Sequence, residues 1–116
     1  MKRRLRLLLT CAALSAAPVA PAMAAEDRCA VVSQLALSAY LTFFAELANG
    51  RRDKATDEAG RAADVIALHN RIGCDGRRLN SAIECLTQRL LDRAPSAPNL
   101  IAKECSRAAG LPQLER

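Results

Sequence analysis

Cysteines and a single histidine are the residues of this chain whose types could support redox, metal or nucleophilic chemistry. Cys11 lies in an apolar leader, which leaves Cys29, Cys74, Cys85 and Cys105. No pair is spaced C-x-x-C, so neither a redox motif nor covalent haem attachment is indicated, and the spacings of 45, 11 and 20 residues match no zinc pattern. An even number of cysteines in a short exported chain predicts two disulfide bonds instead.

His69 is the only histidine, and Val65 and Gly73 stand four residues to either side of it, where a second metal ligand would be expected. We expect a solvated imidazole near the end of a helix. No serine lies in a G-x-S-x-G motif. A group of acidic residues on one helical segment is interpreted as a solvated charged face: Asp53, Asp57, Glu58 and Asp64. The sequence therefore predicts no enzyme, no metal site and no cofactor.

The N-terminus has the three parts of a secretory signal. A basic start is followed by the apolar stretch Leu7–Ala17 and by Ala22-Met23-Ala24, a small-x-small cleavage site. We predict a signal peptide over 1–24, a single domain over 25–116, and a periplasmic or secreted bacterial protein. Cys11 lies only five residues beyond Arg6, and apolar sequence continues past it, so we do not expect a lipoprotein.

The net charge and the length of the chain limit the kinds of partner and the size of the core that it can have. Four of the 17 basic residues belong to the leader, and the remaining 13 face 12 acidic residues, so the mature chain is almost neutral. A nucleic-acid partner requires a dense positive field, which this chain lacks. The 116 residues allow one modest core, and aromatic residues make up only 3% of them.

Helical periodicity and stop signals predict four helices. The first three run over about Arg28–Ala48, Asp53–Ile72 and Arg77–Arg93. The fourth begins after Ser96, has Pro98 in its first turn and ends at Gly110-Leu111-Pro112. The expected signals are Asn49-Gly50 and Gly73 as stops, Asp75 and Ser96 as caps, and Pro95 as the end of the third helix. The third helix is plainly amphipathic, whereas the second presents small residues with Gly60 among them. The apolar face of the third helix consists of Leu79, Ala82, Ile83, Leu86 and Leu90. The corresponding face of the second helix consists of Ala55, Ala59, Ala62, Ala63, Ile66 and Ala67.

Short connections place neighbouring helices antiparallel, and this geometry predicts the disulfide pairing. Cys29 lies 21 residues before Gly50 and Cys74 lies 24 after it, while Cys85 and Cys105 each lie ten residues from Pro95. We predict Cys29–Cys74 and Cys85–Cys105. The fold class is therefore all-α, a small antiparallel four-helix bundle stapled by disulfides.

The first helix is more apolar than a surface helix needs to be. It carries no charge from Cys29 to Ala45 and holds every aromatic residue: Tyr40, Phe43 and Phe44. Three interpretations stay open: a central core helix, an exposed stripe that binds a partner or a second copy, and membrane association, which the polar residues within the stretch disfavour. If the stripe is exposed, these three aromatics form the interaction surface.

Two arginine pairs, Arg51-Arg52 and Arg77-Arg78, stand near helix N-termini, where cations oppose the helix dipole. They are partner contacts or a result of an arginine-rich composition.

In size, export and helical character the chain resembles the small periplasmic acid-stress chaperones and the helical immunity proteins of type VI secretion effectors. The chaperones are held by one disulfide, whereas this chain offers two.

These features predict a non-catalytic exported protein that binds another protein, such as an immunity, inhibitor or chaperone-like factor, or that forms a homodimer. The alternatives are a carrier of a small hydrophobic ligand or lipid, and a self-associating structural component of the envelope.

Overall fold

The computed structural model describes residues 24–92 and 97–114, and within these ranges it contains four helices and no strand. The helices are α1 (Ala25–Ala48), α2 (Arg52–Arg71), α3 (Gly76–Asp92) and α4 (Pro98–Ala108). The predicted all-α, four-helix fold is confirmed. Residues 1–23, which contain Cys11 and all but the last residue of the predicted signal peptide, lie outside the described residues.

The helix ends follow the predicted signals. Gly50, Gly73 and Gly110 adopt positive φ angles of 72°, 84° and 75° directly after α1, α2 and α4. The Asp75 carboxylate caps α3, accepting hydrogen bonds from the backbone N–H groups of Arg77 at 3.0 Å and Arg78 at 3.3 Å. The helices α1, α2 and α3 each begin and end within three residues of their predicted bounds.

Residues 93–96, shortly before α4, where a helix stop and a cap are predicted, are not among the described residues. Ala97 is the N-cap residue of α4 and makes no side-chain capping bond. Pro95 and Ser96, the predicted stop and cap, are among the residues that the structure does not describe.

α1 and α2 form the most extensive helix pair of the described residues. The buried residues of α2 repeat every seventh position, at Ala55, Ala62 and His69. A seven-residue repeat follows a narrow strip that stays in contact along an antiparallel pair. The broader alanine face predicted for α2 is therefore partly wrong, because Ala59, Ala63 and Ala67 lie off this strip and are exposed.

The core lies where α3 packs against α1 and α4. Its buried residues are Ala36, Leu37, Leu79, Ala82, Leu86, Cys105 and Leu111. The amphipathic face predicted for α3 is the one buried, with Ile83 and Leu90 packed at its margin. α1 and α3 each contact all the other helices, whereas α2 and α4 do not contact each other within the described residues. The bundle therefore consists of two hairpins, α1–α2 and α3–α4, which meet mainly where α1 contacts α3 and α4.

Two disulfides staple the bundle with the pairing that the hairpin geometry predicts. Cys29 is bonded to Cys74, with Cα atoms 5.7 Å apart, and Cys85 to Cys105, with Cα atoms 5.6 Å apart. The first bridge joins the first turns of α1 to the short loop between α2 and α3. The second joins the middle of α3 to α4 inside the core, where Cys105 is completely buried.

Candidate interaction surface

The three aromatic side chains of α1 lie at the boundary between core and surface. Tyr40, Phe43 and Phe44 are all half-buried. Tyr40 packs against the core cluster, and the rings of Phe43 and Phe44 meet edge to face with centroids 5.2 Å apart. They are therefore packed residues that keep part of their apolar surface in contact with solvent.

The cover of α1 is incomplete beyond the aromatics. Leu35 and Leu47 are 41% and 45% exposed. By length and composition α1 could cross a membrane, since one 18-residue window has a mean hydropathy of 1.4, but core helices of water-soluble proteins have the same property. Six residues of α1 are buried by protein: Ala30, Val32, Ser33, Ala36, Leu37 and Ala39.

One flank of α1 borders a groove of about 850 Å³, which we call the α1–α4 groove. It is lined by Gln34, Leu37, Ser38 and Leu41 of α1, by Asn99, Ala102, Lys103, Ser106 and Arg107 of α4, and by Gln113 and Leu114 after α4. Leu37 and Ser106 are buried, and Leu41, Ala102 and Gln113 are half-buried. The other polar residues of the lining are exposed. The groove thus has an apolar floor and a polar rim.

The charge of the groove is positive. Lys103 and Arg107 stand one helical turn apart on its rim, and the described residues of its lining include no carboxylate. Within the described residues neither cation takes part in a salt bridge. The acidic residue between them, Glu104, is engaged elsewhere, because Arg89 of α3 donates a hydrogen bond of 2.6 Å to it.

The segment after α4 completes the groove and is held by its own hydrogen bonds. The Gln113 side chain donates to the Ser106 hydroxyl at 2.8 Å and to the Leu111 carbonyl at 2.9 Å. Leu111 is buried in the core. Sequence reasoning missed this surface, since the only available signal was the pair of basic residues one turn apart beside apolar ones on α4.

His69 is completely buried, so the predicted solvated imidazole is wrong. Its spacing of seven residues from Ala62 and fourteen from Ala55 places it on the strip of α2 that faces α1. Neither ring nitrogen has a hydrogen-bond partner within the described residues. Burial lowers the pKa of His69 below 6.5, and the nearby Asp75 charge opposes this in part.

Other residues considered for chemistry stay dispersed. Asp53, Asp57 and Asp64 are exposed on α2, while Glu58 is half-buried and lies 3.7 Å from Arg61. In the described part of the chain, no group of three or more His, Cys, Asp or Glu residues is arranged to hold a metal ion.

One arginine of each pair, Arg51 and Arg78, contacts another part of the protein. Arg51 lies 3.8 Å from Glu46 across the α1–α2 turn. Arg78 donates a hydrogen bond of 3.1 Å to the Gly110 carbonyl and lies 3.4 Å from the Asp75 carboxylate. A cation that is unfavourable at the start of its own helix is favourable at the C-terminal end of another, so Arg78 ties α3 to the end of α4.

No protein-family model matches the chain, and neither the curated proteins nor the solved structures contain a significant match to it.

Proposed function

We propose that this chain is a non-catalytic exported protein of the periplasm that binds another protein, as an inhibitor, an immunity protein or a chaperone-like accessory factor does. The observation that carries the proposal is the incomplete cover of α1. Its aromatic residues are only partly buried, and one flank opens into the α1–α4 groove. Extended apolar surface on a soluble protein generally marks an interaction site.

The build of the molecule supports this proposal. Two disulfides are typical of exported proteins and restrict the motion of the helices that carry the surface. A surface that is already rigid loses less conformational entropy on binding than a flexible one. The half-buried aromatics offer large contact areas whose orientation is fixed by packing, which is typical of residues that dominate a binding interface.

The test replaces the aromatics one at a time. Phe44→Ala and Phe43→Ala should weaken partner binding at least tenfold and leave the helical circular dichroism intact, because half-buried rings support the fold less than core residues do. Leu86→Ala is the folding control, since a completely buried leucine contributes about 2–5 kcal/mol. If the phenylalanine variants unfold as readily as Leu86→Ala, the aromatics serve the core and the proposal loses its interaction surface.

A second candidate function, a carrier of a small hydrophobic ligand or lipid, is favoured by the volume of the groove. Its 850 Å³ lies within the range of about 300–1,000 Å³ typical of small-molecule sites. Native mass spectrometry of the chain isolated from its own compartment after mild cross-linking separates the candidates. A second polypeptide supports protein binding, a lipid-sized adduct supports the carrier, and a homodimer supports the self-associating envelope component.

A further inference from the structure

The chemistry of the α1–α4 groove specifies what kind of segment it could hold. We propose that the groove receives an amphipathic helix of the partner protein, with an apolar stripe flanked by two carboxylates about one helical turn apart. This inference depends on the proposed protein-binding function and adds to it the place and the chemistry of the contact.

The dimensions of the groove match two turns of a helix. Along α1 the lining runs from Gln34 to Leu41, and along α4 from Asn99 to Arg107. At 1.5 Å per residue these segments are roughly 10 and 12 Å long. A helix laid in a groove between two helices presents residues i, i+3 or i+4, and i+7 over this length, which Leu37, Leu41 and Ala102 can contact.

The rim specifies the charge of the partner. Lys103 and Arg107 are exposed and lie four residues apart, about 6 Å along the axis of α4. Among the described residues that line the groove, no carboxylate stands beside them. Two acidic side chains with the same i, i+4 spacing on a partner helix would face both cations at once, and complementary charges of this kind fix register and speed association.

The lining favours a helix over a lipid chain. Seven of its eleven residues are polar, whereas sites for hydrophobic small molecules are predominantly apolar with few polar groups. An extended peptide that binds by strand addition would need a sheet edge, and the described residues contain no strand. Eleven residues are fewer than the 20–30 that each side of a standard interface contributes, so we expect a transient, roughly micromolar complex.

The experiment titrates the oxidised chain with a synthetic helical peptide. The peptide carries leucines at i, i+4 and i+7 with glutamates at flanking positions one turn apart, and a second peptide has lysines in place of the glutamates. Isothermal titration gives the affinity, and backbone amide shifts of the labelled protein locate the contact. We expect the glutamate peptide to bind, to shift the amides of Leu37, Leu41 and Ala102, and to bind less tightly as salt is raised.

Two matched charge reversals separate the groove from general electrostatics. The double variant Lys103→Glu, Arg107→Glu should raise the Kd of the glutamate peptide roughly tenfold or more. It should also allow the lysine peptide to bind. Lys54→Glu with Arg77→Glu changes the net charge equally on exposed sites outside the groove and should change the Kd less than twofold. Leu114→Asp, at an exposed position of the lining, provides an independent second variant that should also weaken binding.

Several results would overturn the inference. They are equal weakening by both charge reversals, equal affinity for the two peptides, binding of oleate or anionic vesicles in place of the peptide, and self-association through the groove. If the native partner is captured yet binds the Lys103→Glu, Arg107→Glu variant normally, the inference fails while the proposed function stands. If no protein partner is captured at all, the proposed function itself fails.

Discussion

At the scale of single residues, His69 is the titratable group that the fold affects most. It is buried in the α1-facing strip of α2 with neither nitrogen hydrogen-bonded within the described residues. The neutral imidazole is favoured there, because burial removes water from the charged form. The burial of His69 could have been predicted, because Ala62 and Ala55 precede it by seven and fourteen residues on the same face of α2. The residues four positions away, where metal ligands would be expected, give no indication of this burial.

The lowered pKa of His69 makes the stability of the fold depend on pH. Its contribution is fully present above the unfolded value of 6.5 and is lost as the pH falls through the lower folded value, because the unfolded chain then binds more protons. Urea unfolding at pH 7.5, 6 and 5 should show wild type losing more stability than His69→Leu, by at most about 1.4 kcal/mol per pH unit. Parallel losses in the two proteins would contradict the assignment.

Gly60 is the second residue whose environment makes a quantitative prediction. It lies inside α2, is exposed, and a Cβ added to it would meet no atom within 4 Å. Gly60→Ala should therefore raise the free energy of unfolding by about 0.5–1 kcal/mol through helix propensity. Gly73→Ala is the control of opposite sign, since its φ of 84° strains any side chain. Destabilisation by Gly60→Ala would show that the glycine serves a contact.

At the scale of helices, much of the fold was predictable because its signals are local. Asp75 and the glycines at 50 and 73 act on neighbouring backbone groups, so their effects can be read from the sequence. The burial of α1 has no such local signal, because it depends on how closely α2 and α4 approach α1. The sequence showed an excess of apolar residues there but left core and surface as open alternatives.

The contact between α3 and the end of α4 depends on Arg78, which the sequence did not explain. Arg78→Ala should lower the free energy of unfolding by about 0.5–1.5 kcal/mol, because the Gly110 carbonyl loses its partner. Arg77→Ala removes an exposed neighbour of the same type and should have a much smaller effect. Chemical denaturation of both variants provides the comparison, and equal losses would show that the hydrogen bond contributes nothing specific.

At the scale of the whole molecule, the two disulfides compensate for a small core. Several of the buried core residues are alanines, which remove little apolar area from water. The pairing was predictable because equal rise per residue brings Cys29 and Cys74, and likewise Cys85 and Cys105, to equal heights in antiparallel hairpins. The α1–α4 groove was not predictable in this way, since it depends on the spacing between helices that are distant in sequence.

Removing the bridges should destabilise the protein in the order of their loop lengths. In the chain-entropy account, Cys29→Ala with Cys74→Ala should cost about 4 kcal/mol, and Cys85→Ala with Cys105→Ala about 3 kcal/mol. The sequence separations are 45 and 20 residues. For a domain whose total stability is about 5–15 kcal/mol, either loss should shift the denaturation midpoint strongly. An unchanged midpoint would show that the helices are held together without the bridges.

The central claim, that the surface around α1 binds another protein, is tested most directly by photo-cross-linking in the living cell. A benzophenone amino acid replaces Ser38, which is exposed on α1 at the groove, and in a matched control it replaces Ala63, which is exposed on α2. We predict a discrete adduct with a second protein from position 38 and none from position 63. The same adducts from both positions, or only lipid-sized or self-linked products, would contradict the claim.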